Sequence, residues 1–258
     1  MSIIKLSIII ATYNRHQELK LCIDSLLSGF SKIKLLPNVE IRVVDQSENI
    51  FSHAKDYESI NQNFYYQRIS IKNASYARNV GARESRGEYL WFMDDDAILC
   101  EFNASALFRG LTVIFISWIQ KRKIFDRIYL FNNLNILRRS GTPFYILKKI
   151  EFNKVSGFNE RIGPGTIMRG GEDLDLLLRV NRVCPIREFC TYGSLSHPLI
   201  NSDQEKKSSY YFARGYVLAI NKEYFLFILN LMYDLRFSFR DGISRPKQLI
   251  KGFMLGMR

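Results

Sequence analysis

Short apolar runs rich in β-branched residues alternate with helical patterns in the first part of the chain. Four such runs are KLSIIIATYNR (5–15), VEIRVVDQSEN (39–49), FYYQRISI (64–71) and EYLWFMDDD (88–96). Runs like these are typical of strands buried on both faces of a parallel sheet. Apolar residues at helical spacing occupy 16–30, where Gly29 is predicted to end the helix, and 73–87, which stops at Gly87. The alternation predicts an open α/β sheet flanked by helices.

Polar residues stand where three of these strands end. They are Ala11–Tyr13, Asp45–Gln46 and Asp94–Asp96. Ligands of open α/β sheets bind outside the carboxyl ends of the strands, so we expect the three clusters to share one crevice. Three adjacent carboxylates after a buried run are costly unless a cation or hydrogen-bond donors compensate them. They indicate either a solvated turn or a site for a hard cation, Mg²⁺ or Mn²⁺.

Three further motifs have both a structural and a functional interpretation. Glu172 and Asp173 in GGEDLD open a predicted helix, where the macrodipole favours acids, but one carboxylate could also serve as a general base. Arg78 in ASYARNVGA either covers the surface or pairs with a phosphate. His197 in LSHP either has a structural role or completes a metal site.

Composition narrows the class of protein. The chain has 258 residues, 47% of them hydrophobic, which argues against disorder and allows a substantial core. We find no signal peptide, and the longest uncharged apolar runs, 110–120 and 224–233, are about half of a membrane span. The four cysteines form no CxxC pair, so reduced thiols are expected. These features predict a cytoplasmic protein, either free or peripheral on the inner face of the membrane.

The formal net charge of +12 favours anionic partners. Between Arg236 and Arg258 there are six basic residues and one acid, Asp241, interleaved with apolar side chains. This pattern favours contact with an anionic membrane surface. The alternative is an ordinary C-terminal helix with a solvated cationic face. The basic residues elsewhere are scattered and form no nucleic-acid-binding motif, so nucleic acid is not an expected partner.

Five segments, in this order, resemble the family 2 glycosyltransferases with the GT-A fold. They are SIIIATYNR, VVDQSEN, NASYARNVGARESRGEYLWFMDDD, FNKVSGFNERIGPGT and GGEDLDLLLRV. The third leads into the DXD-type motif, and the resemblance extends from about Leu6 to about His197. It implies a Rossmann-like, mostly parallel central sheet flanked by helices, with a helical C-terminal extension. It also implies a nucleotide-sugar-binding half (1–99), an acceptor-binding and catalytic-base half (100–220) and a basic extension (221–258).

The resemblance assigns the nucleotide sugar to side chains at the strand ends and on two helices: Thr12, Tyr13, Asp45, Arg78, Asp94, Asp95 and Glu172. Thr12 and Tyr13 would line the nucleobase pocket, with Tyr13 stacking on the base, and Asp45 would accept a hydrogen bond from the base. Arg78 would face the diphosphate. Asp94 and Asp95 would contact the ribose and the rest of the nucleotide.

The same resemblance implies that Asp96 and His197 hold Mn²⁺ or Mg²⁺ and that Asp173 is the catalytic base, with Glu172 beside it. Gln46 departs from the pattern, because many members have a small or acidic residue there. The implied reaction is inverting transfer from a nucleoside-diphosphate sugar, with UDP the expected nucleotide. The acceptor would be a hydroxyl of a saccharide or lipid-linked saccharide, in bacterial surface polysaccharide biosynthesis.

Two other classes of protein remain as alternatives. A metal-dependent nucleotidyltransferase shares the α/β crevice and the acidic ligands, but it usually has a glycine-rich loop after the first strand. ATYNRHQEL contains no glycine. The other alternative is a non-catalytic basic module that binds membrane or nucleic acid.

Overall fold

The computed structural model describes residues 3–118, 132–186, 191–196, 204–241 and 244–257. The strands are β1 (Leu6–Thr12), β2 (Val39–Asp45), β3 (Phe64–Arg68), β4 (Tyr89–Asp94), β5 (Ile98–Phe102), β6 (Val113–Trp118), β7 (Tyr145–Lys148) and β8 (Thr191–Ser196). The helices are α1 (His16–Lys32), α2 (Ala54–Ile60), α3 (Ala74–Glu84), α4 (Asn132–Arg139), α5 (Lys149–Lys154), α6 (Glu172–Val183), α7 (Gln204–Ile220), α8 (Tyr224–Asp241) and α9 (Ser244–Gly256).

The strands form one sheet in the order β3-β2-β1-β4-β7-β6-β8-β5. β1 to β4 pair in parallel, as the apolar runs predict. β7 pairs antiparallel with β4 and β6, and β5 pairs antiparallel with β8. The α/β class and the helix-flanked sheet are therefore confirmed.

The sheet is covered on both faces, which explains the unbroken apolar runs. Side chains alternate along each strand, so Ile8 and Ile10 join one apolar cluster while Ile9 joins the other. α1 packs into the first cluster through residues such as Leu19, and α6 packs into the second through residues such as Leu177. Because the strands are buried on both faces, the sheet presents its ligand-binding groups only at the strand ends.

Two predicted helix ends are wrong. α1 continues through Gly29 to Lys32, and α3 ends at Glu84, before Gly87. Gly29 serves close packing, because a Cβ there would lie 2.7 Å from Cδ2 of Leu99 in β5. A Cβ on Gly87 would likewise lie 2.5 Å from the backbone nitrogen of Ser7. Both glycines allow the chain to approach the sheet closely.

The segment 97–145 contributes β5, β6, α4 and the start of β7. It continues the sheet past β4, and the loop before β7 returns to the carboxyl ends of the first strands. β5 and β6 are short, and the pairing of each with β8 carries a register shift.

The C-terminal helices form a packed layer against the second half of the chain. α9 crosses α7 at glycines, and a Cβ on Gly215 or Gly252 would overlap the backbone carbonyl of Leu249 or Phe212. The rings of Phe227 and Phe253 stack with centroids 3.7 Å apart, which joins α8 to α9. Within the described ranges, no helix has the length and apolar character needed to cross a membrane.

Candidate active site

The parallel register brings the predicted polar clusters together. Thr12 at the end of β1 lies opposite Asp45 of β2, and Ala11 lies opposite Asp94 of β4. Thr12 Oγ1 donates a hydrogen bond of 2.8 Å to Asp95 Oδ2. The three clusters therefore lie side by side at one edge of the sheet, as the strand ends predict.

A cavity of about 290 Å³ opens beside these strand ends. Its wall contains four of the predicted residues, together with side chains from the loop before β7 and from α7. The lining residues with polar or ionisable side chains are Arg78, Asp94, Ser140, Thr142, Glu172, Asp173, Tyr210 and Arg214. One cavity therefore joins residues of β4, α3, α6 and α7.

Arg78 is the central cation of this cavity. It lies on α3, whose N-terminus is capped by the Asn73 side chain accepting from the backbone N–H of Tyr76. Its Nη1 donates to Glu172 Oε1 at 2.9 Å, and its Nη2 lies 3.3 Å from Asp94 Oδ1. Burial lowers the pKa of Arg78, but the facing carboxylates outweigh this effect and raise it. The guanidinium therefore keeps its charge in the interior.

Asp173 lies in the first turn of α6, partly exposed on the cavity wall. Its Oδ2 accepts from the backbone N–H of Thr142 at 3.0 Å, and its Oδ1 accepts from the Tyr145 hydroxyl at 3.2 Å. Burial and the Asp173 carboxylate raise the pKa of Tyr145 well above its ordinary value, so the phenol remains a donor. Gly171 precedes the helix with φ of 88°, a left-handed conformation that glycine adopts without strain.

The pKa values of the other two carboxyl groups in the cavity wall are raised, which favours their protonated, neutral forms. Burial, together with the neighbouring Asp173 charge, raises the pKa of Glu172 to about 7. Burial raises the pKa of Asp94 to about 6, although Arg78 opposes the shift. Thr142 Oγ1 also donates to Asp94 Oδ1 at 3.0 Å. Such perturbed carboxyl groups in a cleft are typical of functional sites.

Arg15 compensates the other two aspartates of the DDD run. Its Nη1 lies 2.9 Å from Asp95 Oδ1, and its Nη2 lies 2.5 Å from Asp96 Oδ2. Burial raises the pKa of Asp95 to about 7, against the opposing effects of Arg15 and Thr12. The three carboxylates are therefore neither solvated in a turn nor buried with their charge uncompensated. Arg15 lies against Asp95 and Asp96, and Arg78 lies against Asp94.

The side chains assigned to the nucleobase differ in accessibility. Tyr13 is exposed, with the Lys72 ammonium 5.0 Å from its ring centroid, so its ring is open to a stacking partner. Asp45 is fully buried, and its Oδ2 lies 2.9 Å from His16 Nε2 and 2.7 Å from the Tyr66 hydroxyl. Its Oδ1 accepts from the backbone N–H of Ser47. Because this carboxylate is fully buried, a base could reach it only if the side chains that cover it moved.

The carboxylates of Asp94–Asp96 are suitable ligands for Mg²⁺ or Mn²⁺, because both ions prefer carboxylate oxygens. A cation held by Asp96 would take the place that the Arg15 guanidinium now has against that carboxylate. His197, the other predicted ligand, lies outside the described residues. Among the residues that the structure does describe, no three His, Cys, Asp or Glu side chains are grouped so that they could hold a metal ion. Substrate phosphates would have to complete the coordination.

Sequence reasoning did not identify Arg15, Thr142, Tyr145, Tyr210 or Arg214 as site residues. Arg15 was within reach of it, because it is the last residue of the segment SIIIATYNR, which the family resemblance already includes. The others come from a segment and a helix with no pattern that relates them to Asp173. Their positions follow from the tertiary fold alone.

The ends of β1, β2 and β4, the helix α3 and the aspartates Asp94–Asp96 all lie in one stretch of the chain that a family model matches. Residues 7–101 match the model described as Glycosyl transferase family 2. The chain contains a family 2 glycosyltransferase region. This confirms the family resemblance predicted from the sequence.

Two curated proteins are similar to this chain. One, from Haemophilus influenzae, is described as an uncharacterized glycosyltransferase and is 28% identical over 202 residues, 68% of this chain and 61% of the relative. The other is the uncharacterized glycosyltransferase EpsJ of Bacillus subtilis, 33% identical over 111 residues, 41% of this chain and 29% of the relative. The chain spans less than two thirds of the length of either relative.

Solved structures of S. aureus TarS share the fold. The structure of TarS 1-349 in complex with UDP-GlcNAc superposes with a TM-score of 0.65 at 15% identity, over 99% of this chain and 82% of that chain. A longer TarS structure gives a TM-score of 0.63 at 16% identity, over 99% of this chain and 49% of that chain. At this identity the likeness establishes the fold, and the family 2 region here adopts it.

Proposed function

We propose that this chain is an inverting glycosyltransferase that uses a nucleoside-diphosphate sugar, with UDP as the nucleotide. The acceptor is a hydroxyl of a saccharide or a lipid-linked saccharide, in the synthesis of a bacterial surface polysaccharide. The observation that carries the proposal is Asp173, a carboxylate on the cavity wall held by two donors and facing the same cavity as Arg78. A relative by fold, TarS 1-349, has been crystallised in complex with UDP-GlcNAc.

Asp173 would act as the general base. Each of its oxygens accepts one hydrogen bond in the structure and keeps a lone pair for an incoming hydroxyl. As the acceptor oxygen forms its bond to the anomeric carbon, its proton passes to Asp173 and the bond to the diphosphate breaks. A positioned base of this kind contributes a rate factor of roughly 10²–10⁴.

Arg78 would stabilise the departing nucleoside diphosphate. Its guanidinium is buried, charged and already fixed by Glu172, so little reorganisation is needed when negative charge develops on the leaving group. A diphosphate leaves without being protonated, so a second acid, as in a glycoside hydrolase, is not required. A Mg²⁺ or Mn²⁺ ion held by Asp96, with Asp94 beside it, would supply further positive charge to the diphosphate when bound.

The nucleotide sugar would lie across the carboxyl ends of β1, β2 and β4. Tyr13 has the exposed ring needed to stack on the base. Thr12, Asp45 and Asp95 form the buried hydrogen-bonded floor below it. This arrangement supports a donor that extends from Tyr13 toward Arg78 and Asp173.

Thermal unfolding of the purified chain with UDP, GDP, CDP, TDP or CMP, each with and without Mn²⁺, tests nucleotide binding. A ligand that binds only the folded state raises Tm. We expect a rise with UDP and little with CMP. Absence of a shift with all five nucleotides would overturn the proposal.

Asp173→Asn then separates binding from chemistry. The variant should keep the UDP-dependent rise in Tm and lose sugar transfer by at least about 100-fold, given the usual contribution of a general base. Asp56→Asn, at an exposed position on α2, is the matched control and should transfer sugar like the natural chain. Near-full activity of Asp173→Asn would show that another group is the base.

A further inference from the structure

The last two helices expose large apolar side chains. On α8, six apolar or aromatic side chains are between 47% and 63% exposed: Tyr224, Phe225, Ile228, Met232, Tyr233 and Leu235. At about 100° per residue all of them except Tyr233 fall within an arc of about 100° on one side of the helix. Leu226 and Asn230, which lie on the other side of α8 with Tyr233, are buried. The apolar stripe of this helix therefore faces outward.

α9 has a similar arrangement. Ile250 and Met254 are exposed one helical turn apart, Leu255 is exposed beside them, and Met257 is exposed directly after the helix ends at Gly256. Leu249 and Gly252 are buried against α7. We call the apolar stripe of α8, together with Ile250, Met254 and Met257, the C-terminal face.

Exposed cations border this face. They are Arg236 on α8 and Lys247 and Lys251 on α9. Among the side chains described on these two helices, the one acid is Asp234, and it is buried. The C-terminal face thus combines large apolar side chains with positive charge and exposes no described carboxylate.

We propose that the C-terminal face docks on the surface of an anionic lipid bilayer. Apolar side chains of this kind enter the boundary between headgroups and acyl chains, while the neighbouring lysines and arginine contact anionic headgroups. A symmetric contact with a second copy would instead place the cations of one face against those of the other. Charge therefore favours a lipid surface over self-association.

Docking would hold the cavity at a fixed orientation to the membrane. α7 lies against α9 through Gly215 and Gly252, and it carries Tyr210 and Arg214 on the cavity wall. The face and the cavity are thus joined by direct helix packing. This arrangement suits an acceptor that is itself anchored in the bilayer.

Co-sedimentation with vesicles tests the inference without any donor or acceptor, so its outcome is independent of the proposed function. The full chain is mixed with phosphatidylcholine vesicles or with vesicles that also contain phosphatidylglycerol, at low and at high salt. We expect binding to the anionic vesicles, weakening as salt increases because ions screen the cations. Absence of binding to the anionic vesicles would overturn the inference.

Two variants separate the apolar and the electrostatic contributions. Phe225→Ser combined with Ile228→Ser and Met232→Ser removes the apolar stripe, and Lys247→Glu combined with Lys251→Glu reverses the border charge. Each should weaken vesicle binding by at least 10-fold, with the circular dichroism spectrum and Tm unchanged. The matched control, Leu21→Ser with Ile60→Ser, changes exposed apolar residues on α1 and α2 and should bind like the natural chain.

Two results would count against membrane docking. If both variants bind anionic vesicles as tightly as the natural chain, the C-terminal face is not the contact. If sedimentation velocity shows a dimer that the triple serine variant abolishes, and the natural chain does not bind vesicles, the face joins two copies instead.

Discussion

Arg78 Nη1 lies 2.9 Å from Glu172 Oε1, and this buried ion pair joins residues 94 positions apart in the sequence. Arg78 belongs to the family 2 region, whereas Glu172 lies beyond residue 101. The same guanidinium reaches Asp94 and Thr142. One arginine thus ties the end of β4 to the start of the helix that carries Asp173.

Removing the buried cation should destabilise the chain, and its effect should be coupled to that of removing Glu172. Arg78→Met leaves Glu172 and Asp94 buried without their partner, and loss of one member of a buried ion pair costs about 3–5 kcal/mol. We expect the free energy of unfolding in urea to fall by this amount. Arg78→Met combined with Glu172→Gln should lose less than the sum of the two single variants. Strict additivity would show that the two side chains are not energetically coupled.

Tyr145→Phe should slow sugar transfer and leave nucleotide binding intact. The phenol donates to Asp173 Oδ1 and helps to hold this carboxylate on the cavity wall, and a hydrogen bond to a charged group contributes ~1.5–3 kcal/mol. We therefore expect kcat/KM to fall by roughly 10- to 100-fold, while UDP still raises Tm. Release of the nucleoside diphosphate measures the rate.

Tyr89→Phe is the control for this change, because the Tyr89 hydroxyl donates to the backbone carbonyl of Leu111. Its kcat/KM should equal that of the natural chain. An unchanged kcat/KM in Tyr145→Phe would mean that the phenol does not act on the catalytic base.

Arg15→Gln should increase the affinity for Mn²⁺. The guanidinium contacts both Asp95 and Asp96, so a divalent cation must compete with it for the same oxygens. We expect at least a 10-fold lower Kd for Mn²⁺, measured as loss of the free-ion electron paramagnetic resonance signal. Arg83→Gln, an exposed change on α3, should leave the Kd unchanged. Equal Kd values for Arg15→Gln and the natural chain would show that Arg15 and the metal do not compete.

Glu40→Gln should remove a component of stability that is present at neutral pH. Burial raises the pKa of Glu40, but hydrogen bonds from Ser7, the Arg86 backbone and Arg42 outweigh burial and lower it below its ordinary value of 4.5. A lowered carboxyl pKa stabilises the folded state above that ordinary value, and the contribution is lost as pH falls through the lowered pKa.

The Tm of Glu40→Gln should therefore lie below that of the natural chain at pH 7, and the two should converge as pH falls below about 4.5. Differential scanning calorimetry between pH 7 and pH 3 measures the gap. A gap that stays constant over this range would show that the effect is one of packing and not of charge.

The sequence by itself determined the α/β alternation, because β-branched runs and helical spacing report burial on a sheet or on one side of a helix. It also placed Asp94–Asp96 at a strand end and Asp173 in the first turn of a helix, since both follow from local pattern. The family 2 resemblance rested on these same segments. Local rules failed at Gly29, where contact with Leu99 of β5 required a glycine inside a helix.

The tertiary structure alone decided which groups compensate the buried charges. Arg15 lies 81 positions from Asp96, and Thr142 lies 31 positions from Asp173, and no local periodicity relates such pairs. It also decided which side of α8 and α9 is exposed, because an apolar stripe in a sequence does not state whether it packs inward. The physical reason is the same in each case. Burial and charge compensation depend on contacts between distant segments, which exist only once the chain has folded.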